Sequence, residues 1–554
     1  MPMPENDVDV ILDYHSRTKH HLHRFAASLG YLDWASQPNP FRTFEGAKTV
    51  DLPLSARGIS STPYAELYST RSAPSAPVNL DTVGALFELA LGLSAWKQFE
   101  QTRWSLRSNP SSGNLHPTEG YAIVPEVEGL EAGVYHYSPR DHRLEWRCMP
   151  AREGVECLAR LLPGNLLIGL SSIHWREAWK YGERAFRYCQ HDIGHAIATV
   201  RYAAAALGWN ARILDTSDGM IADVLGLARK EDFSGIDEAD REHPAALLLV
   251  GPASHVEIEM AGVKDVVSSS AWAGRPNALS PDHTRWGAID VVAEATWRNE
   301  EALPLPGPVF AAPTAGLSRD DSNESGLLAG DIILQRRSAV ALDDSTSIPS
   351  QTFYRMLDRL LPRPNVAPWD VLSWQQHLHC GIFVHRVDGL APGLYFFVRN
   401  RDSLENVKAS LDPSFQFEHP EGCPEHLLLF RLIAGDFRQH AQVVSCRQKI
   451  AGAGAFSLGM IAEFRESLRS FGPWWYRRLF WESGVLGQVL YLEAEAAGIR
   501  GTGIGCYFDD AFHSILGLRD NQLQSLYHFT IGGPVEDTRL MTLPPYAHLE
   551  GRSR

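Results

Sequence analysis

The chain has 554 residues, 44% hydrophobic and 21% charged, with a formal net charge of −15. That length allows two or more domains with sizeable cores, and an acidic balance without a long basic run argues against nucleic-acid binding. Seven scattered cysteines, odd in number and without C-x-x-C, argue against a disulfide framework or structural zinc and fit a reducing cytoplasm. No basic segment followed by an apolar run opens the chain, and no stretch of about 18 apolar residues suggests a membrane span.

Residues 1–59 read as an N-terminal extension. His20, His21 and His23 lie close together there, but no carboxylate or Cys stands at ligand spacing, so a packed or solvated helix start is expected and no metal role. Leu80–Leu93 crowds Val83, Leu86, Phe87, Leu89 and Leu91 onto a mostly buried helix. The run from Arg107 to Pro117, R-S-N-P-S-S-G-N-L-H-P, comes next. Its prolines restrict φ and its glycine permits close approach, so it reads as a rigid loop presenting polar groups to a ligand, with an ordinary polar surface loop as the alternative. Tyr121–Val124 has strand composition, and V-E-G-L-E-A-G-V-Y-H-Y (127–137) reads as strand, glycine turn, strand. Arg184–Leu207 carries apolar residues every three or four positions and predicts a long core helix ended by Gly208. A short helix at Asp218–Leu225 and a strand at Leu247–Val250 complete this part.

The same order returns in the second half. V-E-G-L-E-A-G-V-Y-H-Y recurs as V-D-G-L-A-P-G-L-Y-F-F (387–397), a shift of 260, while Gly194 and Gly208 fall on Gly484 and Gly498, a shift of 290. Leu227 falls on Leu518, and V-G-P (250–252) on G-G-P (532–534). The pattern implies a duplicated α+β unit, at residues 60–255 and 326–554, with 256–325 a linker or covering segment. At Gln335–Ser338 the second unit opens with Q-R-R-S, whose paired Arg and hydroxyl suit an anion, although adjacent Arg residues are also common on solvated surfaces. Lys180 and Tyr181 place side by side two groups of high intrinsic pKa, about 10 each, either of which becomes a general base where a site perturbs it. A Lys stem lying over a packed Tyr is the structural alternative. Glu183, Arg184 and Arg187 are the next candidates for a role in that chemistry, and an ion-paired helix face explains them equally well.

Taken together, Arg336-Arg337-Ser338, the Pro110–Pro117 loop, the G-L-x-x-G-x-Y turns and W-K-Y-G-E-R-A-F-R-Y (179–188) followed by H-D-I-G-H-A (191–196) strongly resemble the nitroreductase superfamily, and within it the SagB/ThcOx-type dehydrogenases. The resemblance implies an α+β fold of two fused nitroreductase-like units forming an intramolecular pseudo-dimer, with FMN at their interface. It assigns Arg336, Arg337 and Ser338 to the phosphate and ribityl chain, and Pro110, Ser111, Ser112 and Asn114 to the flavin. Gly503 and Gly505 of G-T-G-I-G would bring backbone N–H groups near the ring, unless they are only a turn into a strand, and Arg539 is a second phosphate candidate. Lys180 and Tyr181 become the catalytic pair that removes a proton while hydride passes to the flavin. The other copies have decayed: T-R-S (Thr70–Ser72) has lost one Arg, and W-Q-Q-H-L-H (Trp374–His379) has lost Pro, Ser and Asn. One good FMN site and one degenerate site are therefore expected. Three readings stay open: a SagB-type dehydrogenase of azoline-bearing peptides, an NAD(P)H-dependent nitro or quinone reductase, and a non-catalytic flavin-binding subunit of a modification complex. A small-molecule or modified-peptide substrate is expected, with no nucleic-acid or membrane partner, in a monomeric pseudo-dimer or a higher homo-oligomer.

Overall fold

The computed structural model describes residues 5–69, 74–253, 256–299, 307–308, 310 and 326–549; Thr70–Ser72 lie outside the described residues. The first unit is built on β1 (Lys48–Asp51), β2 (Thr118–Val124), β3 (Gly133–Ser138), β4 (Arg143–Met149), β5 (Leu166–Ser172), β6 (Asn210–Ile213), β7 (His243–Gly251) and β8 (Ala271–Trp272). Their order is β8-β4-β3-β2-β5-β7-β6, with β1 also against β4. The second unit uses β9 (Leu378–Val384), β10 (Gly393–Val398), β11 (Leu428–Ala434), β12 (Phe456–Glu463), β13 (Arg500–Ile504) and β14 (Leu523–Gly532), in the order β11-β10-β9-β12-β14-β13. Strand for strand, β4-β3-β2-β5-β7-β6 matches the second sheet, and every neighbour in both sheets is antiparallel. The two fused units inferred from the repeats are thus the architecture.

Five helices frame the junction between the units: α1 (Glu5–Arg17), α2 (Leu80–Ala90), α3 (His174–Tyr181), α4 (Ala185–Ala206) and α5 (Trp475–Ala496). Asn79 starts α2 with a reciprocal capping box to Thr82, satisfying donors that a helix start leaves open. The equivalent helices α4 and α5, 22 residues each, pack on each other at the repeated glycines. A Cβ on Gly194 would lie 2.2 Å from the Trp481 carbonyl oxygen, and one on Gly484 would lie 2.3 Å from that of His191. Only glycine allows two helix backbones so close, so the two copies of one sequence position meet at the centre of the pseudo-dimer. Around this crossing one continuous apolar core runs from the first sheet through α4 and α5 to the second, and each unit has a further core of its own on the far side of its sheet.

Both ends of the chain tie the units together. Tyr14 and Arg17 of α1 bond Glu183, while His15 meets the Tyr476 hydroxyl at 3.2 Å. The C-terminal strand Met541–Leu543 adds to the first-unit hairpin Leu93–Phe99/Thr102–Arg107. Residues 256–299 also fold onto the first unit: the helix Met260–Ser268 buries Val263, Val266 and Val267 in its outer core, and β8 extends its sheet. No helix among the described residues is long and apolar enough to cross a membrane.

Candidate functional site

A cavity of about 420 Å³ opens where the 107–117 loop of the first unit faces the 336–340 segment and the end of β13 in the second. Strand pairing delivers the loop, since the hairpin strand Thr102–Arg107 runs directly into it. Arg107 is buried and structural: its guanidinium donates to the carbonyls of Thr118 and Pro40 and lies over the Phe41 ring, and burial lowers its pKa to about 10. Gly113, Asn114 and His116 take φ of 60°, 60° and 54°. The amide of Asn114 donates to the Ser105 carbonyl at 2.9 Å and its oxygen meets His116 Nε2 at 3.0 Å. Its side chain therefore holds the turn in this left-handed geometry.

Gly113 explains how the catalytic candidates arrive. A Cβ there would lie 2.5 Å from the Tyr181 hydroxyl and 3.2 Å from Lys180 Nζ, so the end of α3 presses both side chains against the loop. Tyr181 lines the cavity; Lys180 does not, and its Nζ lies 5.3 Å from the centre of the Tyr181 ring. Burial, and then the proximity of Glu177 and Tyr188, hold the Tyr181 phenol well above its ordinary pKa.

The R-R-S segment joins this loop physically. Arg336 donates from Nε to the Ser108 carbonyl at 3.3 Å and from Nη2 to that of Arg107 at 3.1 Å, while its Nη1 is buried without a hydrogen-bond partner among the described residues. Arg337 is anchored by the carbonyls of Leu334, Arg336 and Ser94. Ser338 donates to the Tyr491 hydroxyl, which also accepts from the Gly503 N–H, both at 2.9 Å. Lys97 and Arg500 complete the cationic lining.

Gly503 and Gly505 line the cavity, and packing alone requires them to be glycine. A Cβ on Gly503 would lie 1.8 Å from the Tyr527 hydroxyl, and one on Gly505 would lie 2.5 Å from the Tyr188 ring. The carbonyl of Gly505 is held by Tyr188 and Arg184. Arg539 falls outside this assembly, which corrects its assignment as a phosphate ligand. Its side chain is 74% exposed and paired with Asp537 at 2.7 Å; Asp537 and Leu540 line the cavity instead. In the turn before the strand Met541–Leu543 a local Asp–Arg pair wins over reaching inward.

Two acids lie beneath the loop: Asp192 of the H-D-I-G-H-A run, to which the sequence assigned no role, and Glu177, which stands in no sequence motif. Asp192 on α4 accepts from the Ser112 N–H at 3.1 Å and its hydroxyl at 3.2 Å, and burial raises its pKa to about 7. Glu177 on α3 accepts from Ser111 at 3.5 Å; burial and then the charge of Asp192 raise it well above the usual carboxylate range, and its Oε2 has no partner among the described residues. One signal for Asp192 exists in the sequence: at the shift of 290 it falls on Glu482, an acid in the same place of the second copy. Arg184 and Arg187 flank buried Asp509 and Glu183 binds Arg17, so these three bridge the units and the N-terminal segment.

The equivalent place in the other copy is built differently. Glu482 accepts from the backbone of His377 and Leu378 and from Arg399, while Ile213 and Asp215 stand where Gly503 and Gly505 would be. Arg478 replaces Tyr188 and lies over the rings of Trp374, Trp474 and Trp481, with Arg298–Asp215 and Arg477–Asp218 pairs beside it.

Comparison with known proteins agrees with this architecture. No protein-family model matches the chain. A solved structure from Anabaena variabilis, of a protein named as a nitroreductase, superposes over 95% of this chain and 99% of its own with a TM-score of 0.66 at 20% identity, which shows a shared fold. The trifolitoxin-processing protein TfxB of Rhizobium leguminosarum is 33% identical over 142 residues, 24% of this chain, and the match spans only 38% of TfxB's length. A protein of Methanocaldococcus jannaschii named as a nitroreductase is 30% identical over 147 residues, 25% of this chain and 70% of its own length. With most of that relative matched and the fold shared from end to end, the chain belongs to the nitroreductase superfamily, as a polypeptide carrying two nitroreductase-like units.

Proposed function

We propose that the cavity binds FMN and that the chain is an FMN-dependent oxidoreductase, a SagB-type dehydrogenase of azoline-bearing peptides, with its units at 60–255 and 326–554. The carrying observation is that Arg336 bonds directly to the carbonyls of Arg107 and Ser108, so that R-R-S, P-S-S-G-N and Tyr181 face one cavity. The residues fit the cofactor. Among the described residues Arg336 Nη1 and Asn109 Oδ1 are buried without hydrogen-bond partners at the cavity, Lys97, Arg337 and Arg500 supply positive charge for a phosphate, and Tyr188, Tyr491 and Tyr527 supply aromatic walls for a flat ring. When bound, FMN supplies the two-electron chemistry. The chain's part is to orient the substrate and handle its proton. Tyr181, held as a phenol at the cavity wall, donates a hydrogen bond, and the Lys180–Tyr181 pair, with Lys180 behind the ring, is the group we assign to the proton that leaves the substrate carbon. Glu177 and Asp192 hold the Ser111–Ser112 loop from beneath.

The Rhizobium relative is named for toxin processing, which supports the first reading, whereas the Methanocaldococcus relative is named as a nitroreductase, which supports the second, a reductase that we take to use NAD(P)H. The purified protein should release one equivalent of FMN per chain on denaturation; two equivalents would refute the single site, and none the cofactor. Lys180→Ala should retain the FMN and lose turnover at least a hundredfold. Rapid anaerobic bleaching of the bound flavin by NAD(P)H would decide for the reductase.

A further inference from the structure

Cys506 directly follows Gly505 and lines the same cavity, and Cys446 comes to it from the loop between the helices Arg438–Val444 and Ile450–Ala453. Their sulfurs are 2.6 Å apart, well inside the contact distance of two unbonded thiols. Two hydrogen bonds hold the loops in this approach: the Phe508 N–H donates to the Val444 carbonyl at 2.7 Å, and the Gln448 side chain donates to the Cys506 carbonyl at 3.1 Å. Cys446 and Arg447 take φ of 52° and 61°, a left-handed conformation that costs non-glycine residues on the order of 1 kcal/mol each. The fold thus maintains an unfavourable backbone at the one place where it presents Cys446 to Cys506. Neither residue is deeply buried, unlike Cys148, Cys189, Cys380 and Cys423.

We propose that Cys446 and Cys506 form a reversible dithiol–disulfide pair in the cavity wall, with Cys506 as the attacking sulfur and a peroxide as the class of oxidant. The surroundings divide the roles. Cys506 lines the cavity and Cys446 does not; the adjacent Cys446 sulfur, then His20 and Arg184, bring the Cys506 thiol down to about 5, while the same contact and burial push Cys446 up. The Cys506 thiolate attacks one peroxide oxygen, the O–O bond breaks, and a sulfenic acid forms as one water leaves. The Cys446 sulfur then displaces the sulfenic oxygen as a second water. Two thiols and one hydrogen peroxide become one disulfide and two waters, and a small-molecule dithiol reverses the change. The product would clamp the 445–449 loop onto the end of β13, stiffening the wall formed by Gln448 and Cys506.

The test needs no cofactor, so it stands or falls separately from the FMN reading. The reduced 554-residue chain is exposed to equimolar hydrogen peroxide, denatured, alkylated and weighed intact, then mapped by peptide mass. Two of the seven thiols should lose their alkyl groups, the Cys446 and Cys506 peptides should be linked, and dithiothreitol should restore all seven. Cys446→Ser should instead give a Cys506 sulfenic acid trapped by dimedone, whereas Cys506→Ser should react at least tenfold more slowly. Seven alkylated thiols after peroxide, a link that omits either residue, or undiminished oxidation of Cys506→Ser would overturn the proposal.

Discussion

At the scale of single residues the site depends on groups whose charge is set by burial. Asp192 illustrates the sign. Its folded pKa of about 7 lies above the ordinary 3.8 because burial penalises the charged form more than the Ser111 and Ser112 hydrogen bonds favour it. The folded state therefore binds this proton more tightly than the unfolded chain does. Stability from this residue is fully present below about pH 4 and is lost as pH rises to about 7, by up to about 4 kcal/mol. Asp192→Asn keeps an acceptor for Ser112 and does not titrate. In cofactor-free protein it should match or fall below the wild type at pH 4 and exceed it at pH 8, as read from urea unfolding; parallel curves across that window would refute the assignment. The sequence made the polar loop and the H-D-I-G-H-A run legible but not the role of this acid, because burial of a carboxylate is a property of what surrounds it.

At the scale of elements, the α4–α5 crossing positions both walls of the cavity: Asp192 and Tyr188 rise from α4, and Tyr491 from α5. Gly484→Val would drive a side chain into the backbone of α4, which cannot turn aside as a flexible side chain could. A loss of about 3 kcal/mol is expected, with FMN affinity falling alongside it. Gly287→Ala is the control, since no atom of the described residues that could obstruct it lies within 4 Å of its added Cβ and Gly287 begins a helix, where alanine is neutral or mildly favourable. Equal effects of the two substitutions, measured by thermal unfolding and flavin fluorescence, would show that the crossing is not tight. The glycines of G-T-G-I-G were legible as glycines that matter, but their partners, Tyr527 and Tyr188, come from a different strand and a different unit.

At the scale of the whole molecule, one apolar core spans both units, and both chain ends reach across the structure. Neither unit can then bury its inner face alone. Residues 1–325 and 326–554, made separately, should aggregate; made together, they should co-purify one to one and hold one FMN. Size-exclusion chromatography distinguishes these outcomes, and a monodisperse, cooperatively unfolding 1–325 fragment would contradict the shared core. The decayed copy obeys the same logic, because a duplicated chain needs both units for packing whether or not both retain a ligand. Arg478 among three tryptophans keeps the second position filled.

The sequence by itself determined the duplication, the long helices, the strand–turn–strand units at the repeated glycines, and the two motifs whose residues line the cavity. These are local patterns, set by side-chain periodicity and by glycine and proline, and each can be read within a few tens of residues. Only the tertiary structure decided that Arg336 meets Ser108, that Arg539 stays outside, that Asp192 sits beneath Ser112, and that Cys446 faces Cys506. Each of those depends on the packing of elements that lie far apart in the chain. Burial and distance, which set charge and reactivity, exist only once that packing is made.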